Sequence, residues 1–255
     1  MQAYVAGSVI ATKAWREDCF VILFSGDNFN VPYSFNLIYK DFKEEYLKDT
    51  RDFKNELKQT NSKSILFTGG EPCLQRQALL DISRFSKRMG VYVGIETNGS
   101  KPDCLRSLLK ENLLDFIALD IKTPLKEDVF EKITKSRTFF ITPKQIIDDI
   151  KESLKLLKEY SNKVDIEIRT TIVPGIMYKK EDILGIASEI KDIECRWTLQ
   201  QFNPNNVVDK KFNSLNPPTE RFLDNLKQTC QKKYPNIRID IFTENRDYYT
   251  IEESD

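Results

Sequence analysis

Seven short apolar runs alternate with stretches of helical period along this chain, and that order constrains its fold more than any other feature. The runs are Phe20–Phe24, Ile65–Phe67, Val91–Ile95, Phe116–Leu119, Val164–Ile168, Trp197–Leu199 and Ile237–Phe242. They have strand length and are rich in β-branched and aromatic residues. Between them apolar residues recur at steps of three and four, as in Leu79, Ile82, Phe85 and Met89, and again in Ile147, Ile150, Leu154 and Leu157. Ile183, Ile186 and Ile190 repeat the pattern, as do Phe222, Leu226 and Cys230. Thr219, just after two prolines, is positioned to cap the last of these helices. Strand followed by helix, about six times over, predicts an α/β fold with a parallel sheet and helices outside it. Near-continuous apolar strands fit burial on both faces.

The strand ends choose between an open doubly wound sheet and a barrel. Ile65–Phe67 runs into Thr68-Gly69-Gly70-Glu71, and Val91–Ile95 into Glu96-Thr97-Asn98-Gly99. Phe116–Leu119 runs into Asp120-Ile121-Lys122, Val164–Ile168 into Arg169-Thr170-Thr171, and Trp197–Leu199 into Gln200-Gln201-Phe202-Asn203. In a barrel such ends gather on one face. In an open sheet only those at a switch point meet. The run of polar ends favours a barrel, the alternative being that polar residues mark where each strand leaves the core. A chain of 255 residues forms a barrel of this size as one domain, 1–255.

Composition excludes several chemistries. The chain has no histidine, so it has no Ser-His-Asp or Cys-His nucleophile, no HExxH zinc site and no histidine base. Its 39 basic and 39 acidic side chains cancel, so no global field draws it to nucleic acid or to a membrane surface. The five cysteines, Cys19, Cys73, Cys104, Cys195 and Cys230, are scattered with no CxxC or CxxxC pair. This reads as a reduced intracellular protein without a local metal cluster. The start of the chain lacks the pattern of a signal peptide, and no apolar run approaches ~18 residues, so a cytoplasmic location is expected with no membrane span.

Five segments, in order, resemble the radical S-adenosylmethionine (SAM) family. Phe67-Thr68-Gly69-Gly70-Glu71-Pro72 resembles its GGE motif. Glu96-Thr97-Asn98-Gly99 and Asp120-Ile121-Lys122 resemble the segments that follow it in the activating-enzyme branch, which includes activases of anaerobic ribonucleotide reductase and pyruvate formate-lyase. The 7-carboxy-7-deazaguanine synthases are close relatives of that branch. Arg169-Thr170-Thr171-Ile172-Val173-Pro174-Gly175 and Gln200-Gln201-Phe202 resemble archaeal activase-like sequences. The resemblance implies a partial (β/α)6 TIM-like barrel of the radical SAM type. It also implies a CxxxCxxC loop after the first strand, whose thiolates hold a [4Fe–4S] cluster that chelates and reduces SAM. At that place the chain has Gly26-Asp27-Asn28-Phe29-Asn30-Val31-Pro32-Tyr33-Ser34-Phe35-Asn36. Gly26, Asn28, Phe29, Pro32, Tyr33 and Asn36 match the family's frame, while Asp27, Val31 and Ser34 stand where the three thiolates belong. Valine offers no lone pair, and one carboxylate with one hydroxyl does not replace three thiolates. The expectation is therefore no [4Fe–4S] cluster and no metal.

The resemblance carries the remaining SAM pocket over residue by residue. Gly69 and Gly70 match the glycines that let backbone approach the methionine part, or else form a tight strand-to-loop turn. Glu71 sits near the ligand ammonium, or is a carboxylate at a helix entry. Thr97 and Asn98 contact the ribose or amino-acid part, or form a turn. Asp120 and Lys122, two apart and so on one side, bind the SAM carboxylate or pair internally. Arg169 reaches a carboxylate, or forms a salt bridge with Glu71 or Glu96. Gln201 faces the pocket or the adenine, or bonds at its rim. Asp27 either pairs with the SAM ammonium or caps a turn. With histidine absent, Asp27, Glu71, Glu96 and Lys122 are the acid–base candidates, and Asp27, Glu71 and Lys122 the catalytic ones.

The main expectation is a cluster-free protein of this fold that binds SAM or a derived nucleoside. It would use the electrophilic sulfonium for polar group transfer or elimination, as a transferase or lyase. One alternative is a pseudoenzyme acting as ligand sensor or protein partner. The other is a true activase-like radical enzyme with atypical cluster ligands. A small-molecule ligand is expected, and nucleic acid is not indicated. Asn203–Pro218, polar and proline-bearing, is expected to lie over the pocket mouth, with Ile237–Phe242 and the tail to Asp255 closing one edge.

Overall fold

The computed structural model describes residues 1–12 and 14–243. It opens with a hairpin, β1 (Gln2–Ala11) and β2 (Cys19–Phe24), paired antiparallel. The short β3 (Leu47–Asp49) pairs antiparallel on the far side of β1. From there strand and helix alternate: α1 (Thr50–Thr60), β4 (Ser64–Gly69), α2 (Arg76–Arg88), β5 (Tyr92–Thr97), α3 (Pro102–Lys110) and β6 (Phe116–Asp120). Two helices follow, α4 (Glu127–Thr134) and α5 (Pro143–Tyr160), then β7 (Asp165–Ile172), α6 (Lys180–Ile190), β8 (Arg196–Gln201), α7 (Glu220–Lys233) and β9 (Arg238–Phe242).

The nine strands form one sheet in the order β3-β1-β2-β4-β5-β6-β7-β8-β9. From β2 to β9 every neighbouring pair is parallel, and from β4 onward the order is consecutive. Sequential parallel order with helical crossovers is the arrangement of a barrel wall, and here β3 and β9 remain its two edges. The expected α/β partial barrel is thus observed, as are all seven apolar runs as strands. Thr219 caps α7, its side chain accepting from Phe222 N. Pattern reading missed β1, whose apolar residues are mostly small and interrupted by Gly7 and Ser8. The expected closing role of the tail beyond Thr243 lies outside the described residues.

Strand alternation sorts side chains onto two faces. One set, including Ile22, Phe24, Ile65, Phe67, Val93, Ile95, Ile117, Leu119, Ile168 and Leu199, packs against the helices in the larger core. Val21, Leu23, Leu66, Phe116 and Ala118 pack on the other face with Tyr39. Trp15, from the β1–β2 connection, stacks on Phe116 with ring centroids 5.0 Å apart and planes at 4°. A Cβ on Gly94 would come within 2.9 Å of the Trp15 Nε1, so glycine makes room for this ring. Phe116 begins β6, and Trp15 therefore fills the inner face at the strands' N-terminal ends.

At the C-terminal ends the backbone is tightly joined. Gly70 N donates to Phe24 O at 2.8 Å and Glu71 N to Gly26 O at 2.7 Å. A Cβ on Gly70 would meet Gly26 O at 2.2 Å. Because backbone yields little, Gly70→Ala is expected to lower the unfolding free energy by about 1–3 kcal/mol, read as a reduced urea midpoint with unchanged slope. An unchanged midpoint would show that this crossing relaxes freely.

Candidate functional site

The loop after β2 is anchored on all sides. Phe29 is buried and meets Phe130 edge to face at 5.6 Å. Asn30 N donates to Thr134 O at 2.7 Å, and Tyr33 Oη to Lys122 O at 3.2 Å. Lys40 Nζ donates to Phe29 O at 3.2 Å. Val31 is 2% exposed within the apolar core. Asp27 Oδ1 accepts from Phe29 N at 2.8 Å, which is the turn-capping role. Burial raises the Asp27 pKa above its ordinary value, against the pull of the Phe29 amide and of Lys122 and Lys40.

Glu71 is the centre of the next layer. It is fully buried, and its carboxylate accepts from Cys73 N (2.9 Å), Thr97 Oγ1 (2.8 Å) and Asn98 N (2.7 Å). It thereby caps the helical turn Pro72–Gln75 and ties it to the end of β5. Burial pushes its pKa up to about 7, although these three donors act to lower it. Asn98 extends the network: its Nδ2 donates to Asn28 Oδ1 at 2.9 Å and lies 3.5 Å from Asp27 Oδ1. Its Oδ1 accepts from Ser100 N at 3.0 Å, and Asn28 Nδ2 donates to Ser100 Oγ at 2.8 Å. Asp27, Glu71, Thr97 and Asn98 are thus brought together. Asn28 and Ser100 complete the set, and Ser100 carried no signal in the sequence.

A charged layer lies on the inner strand face. Arg169, 8% exposed, pairs with Glu96 through one terminal nitrogen, and its Nε donates to Glu167 Oε2 at 2.9 Å. Thr68 donates to Glu96 at 2.7 Å, and Thr198 to Glu167 at 2.6 Å. Of the two salt-bridge partners expected for Arg169, Glu96 is the one found. Glu167 went unnoticed in the sequence, although its place two residues before Arg169 on one strand puts it on the same side. Asp120 and Lys122 pair at 3.0 Å. Burial acts to lower the Lys122 pKa, and the Asp120 carboxylate beside it overcomes this, so the ammonium stays protonated.

Gly69, Gly70 and Gln201 each meet the chain's own backbone. Gly69 and Gly70 spend their missing side chains on the chain's own backbone, each facing the end of β2 or the loop beyond it. Gln201 Nε2 donates to Pro218 O at 2.8 Å and so pins one end of the 203–218 loop. That loop reaches the site through Phe212, whose ring meets Tyr33 at 6.4 Å.

The arrangement offers side chains of both signs beside partly exposed carboxylates: Glu96 is 24% and Asp120 37% exposed. It suits a zwitterionic ligand with an added positive centre. Among the described residues no three His, Cys, Asp or Glu side chains form a group able to hold a metal ion. Cys73 and Cys104 are both free thiols and both buried.

Residues 14–190 match the family model described as the radical SAM superfamily. The chain is 32% identical over 241 residues to a putative glycyl-radical enzyme activating enzyme from Methanocaldococcus jannaschii, covering 94% of this chain and 96% of that one. It is 31% identical over 173 residues to a pyruvate formate-lyase-activating enzyme from Clostridium pasteurianum, covering 68% and 66%. The structure of QueE from Escherichia coli shares the fold with a TM-score of 0.56 at 12% identity, covering 95% of both chains.

These likenesses correct two expectations. The relatives are named as activating enzymes, which backs the activase-like alternative over a cluster-free site for polar group transfer or elimination. The family match likewise overturns the expectation that no [4Fe–4S] cluster accompanies SAM. Both expectations came from three loop positions, whereas the relation to activating enzymes runs over nearly the whole chain. The loop itself does not fit a cluster: Val31 has no donor atom and faces the core, and the Asp27 carboxylate already holds the Phe29 amide.

Proposed function

The chain belongs to the radical SAM superfamily, and on that premise we propose that it serves as an activating-enzyme-type protein that binds SAM at the barrel mouth and acts on a protein partner. The observation that carries this reading is the alignment with a named activating enzyme over 94% of this chain and 96% of the relative. In this reading Asp27, Val31 and Ser34 stand where the family loop carries its three thiolates.

The chain's own residues support binding and orientation. The Lys122 ammonium suits the ligand carboxylate, with Asp120 orienting it through their 3.0 Å contact. The Glu96 and Asp120 carboxylates suit the ligand ammonium and sulfonium. Glu71 has no free face for a ligand, since both of its oxygens are engaged by Cys73, Thr97 and Asn98. We therefore assign it to positioning the Thr97–Asn98 segment. Arg169 fixes the direction of Glu96.

Calorimetric titration of the anaerobically reconstituted protein with SAM tests the pocket, and iron, sulfide and 5′-deoxyadenosine measured after adding dithionite test the chemistry. Micromolar binding of SAM is expected. Lys122→Met is expected to weaken SAM binding about tenfold or more, as loss of a charge-assisted hydrogen bond does. A reconstituted protein that does not bind SAM overturns the proposal.

A further inference from the structure

The 203–218 segment closes on itself. Gln201 Nε2 donates to Pro218 O at 2.8 Å, which holds its two ends together. Inside it, Asn203 Oδ1 accepts from Asn205 N at 2.9 Å, and Asp209 Oδ1 from Lys211 N at 3.1 Å. Phe212 N donates to Asp209 O, Asn213 N to Lys210 O and Leu215 N to Phe212 O. These bonds build the short helical turns Pro204–Asn206 and Lys210–Phe212. Among the described residues, no hydrogen bond or ion pair joins 207–217 to the rest of the chain. The attachments are apolar instead: Val207, Phe212 and Leu215 are partly buried against the main core. Ends tied together and apolar side chains as feet make this an Ω-loop. Such a loop lifts without orphaning backbone groups, because its hydrogen bonds travel with it.

One foot shows what the loop covers. Phe212 meets Tyr33 with ring centroids 6.4 Å apart and planes at 62°. Tyr33 belongs to the loop after β2, and its hydroxyl donates to Lys122 O at 3.2 Å. The Ω-loop itself leaves β8, and β4, β5, β6 and β7 stand between β2 and β8 in the sheet. The contact therefore crosses the barrel mouth, one ring away from the Asp120–Lys122 pair. An edge-to-face ring pair favours a closed state by roughly threefold to tenfold beyond the area it buries, a bias that thermal motion reverses.

We propose that the 203–218 loop is a lid over the Asp120–Lys122 pocket, latched by Phe212 on Tyr33. The identity of the ligand beneath it rests on the SAM reading above, and the latch rests on the loop alone. Closed, the lid keeps water from the ion pair and slows exchange of whatever the pair holds. Open, it leaves Tyr33 and the pocket bare while its own turns stay intact.

Lys210 and Lys211 are exposed beside the latch and give trypsin a site that reports the lid's state. Where opening is fast relative to cleavage, the rate of cutting follows the open population. The test is the rate of cutting after Lys210 or Lys211 in the full chain, with the site located by mass spectrometry. Phe212→Ala is expected to be cut about tenfold faster with an unchanged thermal melt, and Phe212→Tyr at the wild-type rate. Saturating SAM should slow the cutting of reconstituted wild type by about tenfold or more. In a chase with unlabelled SAM, Phe212→Ala should release labelled SAM about tenfold faster than wild type. Equal cutting of Phe212→Ala and wild type overturns the proposal. So does faster cutting with unchanged SAM release, which would place the loop away from the ligand's path. The latch is read without ligand and SAM affinity by titration. A chain that ignores SAM yet is cut in a Phe212-dependent way therefore retains the lid and rejects the SAM reading.

Discussion

Replacing Arg169 by methionine is expected to lower the unfolding free energy by about 3–5 kcal/mol, the cost of leaving a buried charge without its partner. Methionine fills a similar volume, so the loss reports charge rather than a cavity. Glu167, at 3% exposure, would keep Thr198 as its hydrogen-bond donor, with Arg196 at 3.8 Å. Glu96, at 24%, would recover water in part. Most of the loss therefore belongs to Glu167, and the double variant Arg169→Met/Glu167→Gln should regain a large share of it. Urea unfolding followed by circular dichroism gives both numbers. A single variant costing under about 1 kcal/mol would mean that the inner face is wet enough to screen the pair.

Glu71→Ala is expected to cost about 3–5 kcal/mol, since it orphans two buried amides, those of Cys73 and Asn98, together with the Thr97 hydroxyl. Its pH dependence has a definite sign. Burial raises the Glu71 pKa from 4.5 to about 7. Between those values the folded chain holds a proton that the unfolded chain releases, so the group's contribution is full below 4.5 and falls as the pH rises through about 7. The wild-type urea midpoint should therefore drop between pH 5 and pH 7.5 by an increment that Glu71→Gln lacks. Parallel pH profiles for the two proteins would show that the three donors hold Glu71 ionised throughout.

The fold was legible because burial on two faces leaves long apolar strands, and helices leave a period of three and four. Those signals survive in Val164–Ile168 or Leu79–Met89 whatever the protein does. The strand ends were legible for the same reason, since a polar residue after an apolar run marks the exit from the core. What those ends do to one another was only partly legible. That Asp120 and Lys122 share a side follows from strand geometry, and so would Glu167 beside Arg169. That Asn28, Asn98 and Ser100 join does not, because no period links residues 70 or more positions apart. The cofactor expectation failed differently: it let Asp27, Val31 and Ser34 outweigh a likeness spread over the rest of the chain.

Trp15, lying flat on Phe116, covers the inner strand face at the strands' N-terminal ends. A floor at one end imposes an order on traffic through the other. Whatever seats deepest must arrive first and depart last, and any large body settling on the rim becomes a stopper for the contents. Exchange of a small ligand should then slow whenever the rim is covered, with no change in the contacts that hold it.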